Sequence, residues 1–201
     1  MVNAKSIALV VAFAGIAIVL NPSISGVGIP YPPVPSLIFN LWEIPVIAVF
    51  LLFGFKFGTA VAAINSLFLF SAWPGPSRPF YALGTVFSAL SMMLGIYVMF
   101  KVIGHRIPAE TLANRTKIVA FATVFASLLR IVILATYMYG LLKSPVYNLP
   151  DTAIFAVVLP WQAVYNIAQP IITVPLAFIV ARGVNKNVKI DVKAGLSSLL
   201  A

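Results

Sequence analysis

Between Ile44 and Trp73 the chain carries one charged residue, Lys56. Comparable apolar runs recur at about Ala4 to Leu20, Phe80 to Ile103, Lys117 to Leu142 and Ala153 to Ala181. A segment surrounded by hydrocarbon must pair its own backbone groups, so only helices and closed barrels span a bilayer. The runs here are continuous and lack the roughly ten-residue alternating segments of barrel strands. The chain therefore reads as an all-α integral membrane protein. Composition agrees: 8% of residues are charged and the mean hydropathy is +1.07, whereas a soluble domain carries about 25% charge. Lys5 ahead of the first run fits a signal peptide loosely, but no small-x-small cleavage site precedes the following Pro-rich stretch. The first run reads as a retained helix.

The residues from Asn21 to Asn40 include Pro22, Pro30, Pro32, Pro33 and Pro35 together with Gly26 and Gly28. Proline fixes φ and removes a donor, so an ordered irregular loop is expected there rather than a helix. Ile29, Tyr31, Val34, Leu37, Ile38 and Phe39 give this loop apolar groups to pack. The Ile44–Trp73 stretch is interrupted by Gly54-Phe55-Lys56-Phe57-Gly58. It reads either as one long helix or as two short helices meeting at a tight turn on Lys56. Trp73 to Pro79 and Lys143 to Asp151 read as loops, and Gly104 to Asn114 as a polar, basic connection. Pro160, Pro170 and Pro175 should kink the last span.

Charge decides the middle stretch. With two helices there, and the N-terminus inside, the inside segments hold Lys5, Lys56, Lys101, Arg106, Arg115, Lys117, Arg182, Lys186, Lys189 and Lys193. The outside loops hold Arg78 and Lys143, and Arg130 stays within a span. With one helix, the basic 101–117 connection and the basic tail fall on opposite sides. The positive-inside rule thus favours six transmembrane helices with both termini cytoplasmic and the Pro-rich first loop extracellular. The expected organisation is a single six-helix domain over 1–183 and a basic cytoplasmic tail over 184–201, in the cell membrane. The net charge of +9 is accounted for by this topology without invoking nucleic acid.

Arg130 lies mid-span, 13 residues after Lys117, which is about 20 Å along a helix axis. A charge at that depth faces a cavity or a partner, so Arg130 either touches a ligand or holds broken-helix carbonyls. On the last span, Gln162, Asn166 and Gln169 fall at i, i+4 and i+7 and share a face, with Trp161 and Tyr165 nearby. Tyr137, Tyr139 and Tyr147 approach the same outer rim. Asn40 and Glu43 enter the second helix from outside, and Asn65 lies on the third. An interfacial aromatic belt accounts for Tyr147 and Trp73, but not for a buried row of amides. An outward-facing pocket with aromatic walls and a few amides suits a flat heteroaromatic ligand. Candidate binding residues are Asn40, Glu43, Arg130, Tyr137, Trp161, Gln162, Tyr165, Asn166 and Gln169. Ala4, Ala8 and Ala12 recur at every fourth position, a spacing that allows close approach of another helix or reflects the abundance of alanine in membrane helices.

Cysteine is absent, His105 is the single histidine, and the acids are Glu43, Glu110, Asp151 and Asp191. No metal site is expected. The sequence holds no Gly-x-Ser-x-Gly, His-Glu-x-x-His or Walker pattern, so neither an intramembrane enzyme nor an intrinsic ATPase is indicated. A scaffold subunit without a ligand stays open as a second reading.

Several segments together resemble the substrate-binding S component of energy-coupling factor (ECF) transporters, which take up vitamins. These are Ala8-x-x-x-Ala12, the long first loop, Asn40-Leu41-Trp42-Glu43-Ile44-Pro45, Leu51 to Gly58, and Tyr165-Asn166-Ile167-Ala168-Gln169-Pro170. The resemblance implies a six-helix fold that binds a vitamin near the outer face. It implies partners too: a transmembrane coupling protein, docked through Ala8 and Ala12, and two cytoplasmic ATPases. The first loop would act as a lid. Leu129-Arg130, Tyr137, Tyr139 and Pro145-Val146-Tyr147 resemble riboflavin-type members, as does Tyr165-Asn166. Gln169 departs from that pattern, which places a lysine there. Riboflavin is the first ligand implied; thiamine, biotin, pyridoxine or a folate-like vitamin are the alternatives. No cofactor is expected.

Overall fold

The computed structural model describes residues 4–26, 28–32, 34–72, 78–108 and 111–188. Its elements run α1 (Ala4–Val19), α2 (Pro22–Ser25), β1 (Ile29–Tyr31), β2 (Val34–Phe39), α3 (Glu43–Phe53), α4 (Phe55–Ala72), α5 (Arg78–Val102), α6 (Leu112–Lys143) and α7 (Asp151–Val188). Helices α4, α5, α6 and α7 are long and apolar enough to cross a membrane; α1, with 16 residues, and α3, with 11, are shorter apolar helices. Many large apolar side chains face outward, among them Val11, Leu67 and Ile179 at 64–67% exposure, as lipid-facing helices require.

The middle stretch is two helices, divided at Gly54 rather than at Lys56. Gly54 adopts φ 90° and ψ −179°, a backbone region open to glycine and costly for other residues. Lys56 accordingly lies in the first turn of α4 and is exposed. From Pro45 to Leu52 every residue of α3 is buried. Its sequence is apolar all round, which is the pattern of a helix enclosed by others. It packs against α1, α4, α5 and α7.

The first loop is more regular than expected, and the fold is not purely helical. Asn21 caps α2 by accepting from the Ser23 N–H, Pro22 opens it, and Gly26 at φ 69° closes it. Strands β1 and β2 then form an antiparallel hairpin that pairs Ile29 with Phe39 and Pro30 with Ile38, with an irregularity between Pro30 and Tyr31. A two-stranded ribbon leaves one edge of each strand free, so it tolerates prolines that a central strand would not.

Helix α5 opens with Arg78 and Pro79, both assigned to a loop by sequence; residues 73–77 lie outside the described residues. Helix α6 begins at Leu112, ahead of the expected Lys117, because the Thr111 hydroxyl accepts from the Asn114 N–H and caps it. Helices α5 and α6 cross closely at Gly95, beside the fully buried Ala122 and Ala126. Helix α7 carries a π-helical turn over Ile154–Val158, just ahead of Pro160. That proline has no N–H for the Ala156 carbonyl, and widening the turn relieves the mismatch. The helix then runs through Pro170 and Pro175 to Val188, past the expected boundary at 183. The tail beyond 188, with Lys189 and Lys193, lies outside the described residues. Lys5 Nζ donates to the Val188 carbonyl, which brings the start of α1 and the end of α7 to the same end of the bundle.

Candidate ligand-binding cavity

Four helices converge on Arg130. It projects from α6 and is 1% exposed. Its Nη1 donates to Glu43 Oε1 at 2.9 Å, at the start of α3, and its Nε donates to Asn166 Oδ1 at 3.1 Å on α7. Ser88 of α5 completes the cluster: its hydroxyl donates to Glu43 Oε1, and its carbonyl lies 3.5 Å from Arg130 Nη1. Glu43 is fully buried, and its Oε2 has no hydrogen-bond partner among the described residues. A buried charge must be paired to be tolerable, and here the pair ties α3 to α6.

A second polar group fixes the hairpin. The Gln169 amide pairs with the backbone of Asn40 as another peptide would. Its Oε1 accepts from the Asn40 N–H and its Nε2 donates to the Asn40 carbonyl, both at 2.9 Å, while Nε2 also donates to Thr173 Oγ1 at 2.8 Å. Tyr165 donates to the Ile38 carbonyl at 2.6 Å and accepts from Asn40 Nδ2 at 3.1 Å. Its ring packs against Tyr31 and Phe39, with centroids 5.9 and 5.7 Å away. The end of the first loop is thus clamped onto α7.

Between the Arg130 cluster and the first loop lies a cavity of about 610 Å³. Asn40, Arg130, Tyr137, Gln162, Tyr165 and Asn166 line it, together with Asn21, Trp42, Tyr81, Gly84, Ser88, Leu134 and Tyr147. The Tyr137 hydroxyl donates to the Phe80 carbonyl at 2.5 Å, and its ring lies against Phe87, so this part of the wall is held in place.

Six of the nine sequence-derived candidates therefore line one cavity. Three stand elsewhere. Trp161 is 45% exposed and does not line the cavity: it lies one turn from Tyr165 on α7, where an amphipathic indole suits the membrane interface. Gln169 is spent on the backbone of Asn40. Glu43 sits behind the wall as the counter-ion of Arg130. Sequence reasoning passed over Trp42, which is 1% exposed although it lies within the quoted 40–45 segment, and Ser88, a small polar residue inside an apolar span. It also missed Asn21, whose Nδ2 donates to Asn65 Oδ1 at 3.1 Å and ties the loop's start to α4. Ala4, Ala8 and Ala12 are all exposed on α1, whose buried face is Val10, Phe13, Ala14 and Ala17. No cluster of metal-binding side chains occurs among the described residues.

No protein-family profile and no curated protein matches the sequence. Among solved structures, the chain is similar to the S component of a bacterial ECF transporter. The TM-score is 0.64 over 92% of this chain and 98% of that one, at 17% identity. At this identity the likeness is one of fold, and it spans nearly the whole of both chains.

Proposed function

We propose that this chain is the substrate-binding S component of an ECF-type importer. It captures a flat heteroaromatic vitamin, riboflavin or a relative first, for uptake driven by partner ATPases. One observation carries the reading: a cavity of about 610 Å³ with amide and aromatic groups in its wall lies over a buried arginine and beside a clamped hairpin. Sites for small ligands typically span about 300–1,000 Å³, and a bare scaffold has no use for such a space. In this reading all six apolar helices cross or enter the bilayer. The shared end of α1 and α7 supports an even number of crossings, and the positive-inside rule places the termini in the cytoplasm and the cavity at the outer face. The exposed alanine stripe of α1 receives the coupling protein.

Two variants separate the roles. Asn166→Ala is expected to weaken ligand binding by roughly ten- to a hundred-fold, since it removes a cavity amide and the acceptor of Arg130 Nε. Ala8→Trp is expected to leave binding unchanged and to block copurification of the coupling protein and ATPases. Titration of riboflavin by fluorescence quenching reads the first, and pull-down of the assembled complex the second. Unchanged affinity in Asn166→Ala removes that residue from the site. The absorbance and mass of whatever the denatured protein releases would identify the ligand directly.

A further inference from the structure

The cavity contains one charged wall residue among those described, Arg130, and that charge is already answered. Glu43 lies directly behind it, fully buried, with 2.9 Å between Nη1 and Oε1. Among the described residues, no other ionised group lines the cavity. The Lys143–Asp151 pair sits at the surface, with its side chains 41% and 56% exposed, and neither residue lines the cavity. The stretches at 27, 33 and 73–77, outside the described residues, contain no charged side chain. The ligand therefore meets a largely apolar wall that carries a few polar groups and, among the described residues, a net charge of zero.

From this balance we propose that the ligand is uncharged, a deeper statement of the S-component reading on which it rests. In a low-dielectric site an added carboxylate or ammonium would have no counter-charge left to meet, and its desolvation would go uncompensated. The Arg130–Glu43 pair serves instead as a fixed donor edge. Glu43 holds the guanidinium in position and neutralises it, and the N–H groups of Arg130 not donated to Glu43, Ser88 and Asn166 are left for neutral carbonyl or ring-nitrogen acceptors. Among the vitamins considered above, this favours flavin- and pyridoxine-like molecules over carboxylates such as biotin or folate and over cationic thiamine.

The test measures affinities of the purified chain in detergent for riboflavin and pyridoxine as neutral probes, biotin as the carboxylate and thiamine as the cation. Wild type is expected to bind a neutral probe at least about ten-fold more tightly than either charged one. Glu43→Gln leaves Arg130 uncompensated and should move the biotin-to-neutral affinity ratio upward by about ten-fold or more. Arg130→Gln leaves Glu43 alone and should move the thiamine ratio the same way. The double variant Glu43→Gln/Arg130→Gln restores a net charge of zero, so both ratios should return toward wild type even if overall affinity falls. It also supplies the measurement if a single variant does not fold. A wild-type preference for biotin or thiamine, or ratios indifferent to these substitutions, overturns the neutral-ligand inference and leaves the S-component reading standing. Failure of wild type to bind any of the four, with no small molecule released on denaturation, removes that reading and this inference with it.

Discussion

Arg130→Ala is expected to lose its ligand and much of its stability together. The guanidinium is 1% exposed and its partner Glu43 is fully buried, so solvent does not screen the pair. Removing one member of such a pair leaves the other charge buried without compensation, at a cost of about 3–5 kcal/mol. Only the Ser88 hydroxyl would remain on the Glu43 carboxylate among its described partners. Asn166 would lose its donor at the same time. Lysine is a poor substitute, because one ammonium cannot reproduce the fork that reaches Glu43 and Asn166 in different directions. Thermal unfolding in detergent, followed by tryptophan fluorescence, should show a large fall in Tm for Arg130→Ala and a lesser one for Arg130→Lys. An unchanged Tm in the alanine variant would mean that the pair does not hold α3 to α6.

The second large effect belongs to Gly95. A Cβ placed there would lie 2.4 Å from the Phe125 carbonyl oxygen and 2.6 Å from Ala126 Cα. Both are backbone atoms of α6, so no side chain can turn aside to make room. Gly95→Ala is expected to cost about 1–3 kcal/mol by forcing α5 and α6 apart, and Gly95→Leu to abolish a monodisperse folded species in size-exclusion chromatography. Gly140→Ala, where nothing lies within 4 Å of the added carbon, is the control and should be neutral or stabilising, by up to about 1 kcal/mol. If Gly95→Leu elutes and melts like the parent, the close α5–α6 crossing is wrong.

Local signals made part of this site legible. An arginine at membrane depth is conspicuous by its cost, and the spacing of Gln162, Asn166 and Gln169 assigns them to one face of a helix before any tertiary structure is known. The glycines around Lys56 marked a break, although Gly54, not the lysine, turned out to carry it. What stayed hidden depends on residues far apart in the chain. Glu43 becomes the counter-ion of Arg130 across 87 positions, and Gln169 becomes a clamp because Asn40 folds against it across 129. Neither pairing has a local signature. The hairpin escaped because proline is a strand breaker on average, and the tolerance of a two-stranded edge depends on the partner strand. Trp161 and Tyr165 share a helical face, yet Tyr165 packs against Tyr31 and Phe39 of the hairpin while Trp161 is 45% exposed.

Helix α3 has a consequence for how the protein is made. Its 11 residues extend about 16 Å, roughly half of a bilayer's hydrocarbon thickness. During synthesis such a segment is too short to be stopped in the membrane on its own hydrophobicity. In the six-helix reading it is carried in with α4, to which Gly54 joins it, as a paired unit. Glu43 enters with that unit, whereas its counter-charge, Arg130, lies 87 positions later in the chain on α6.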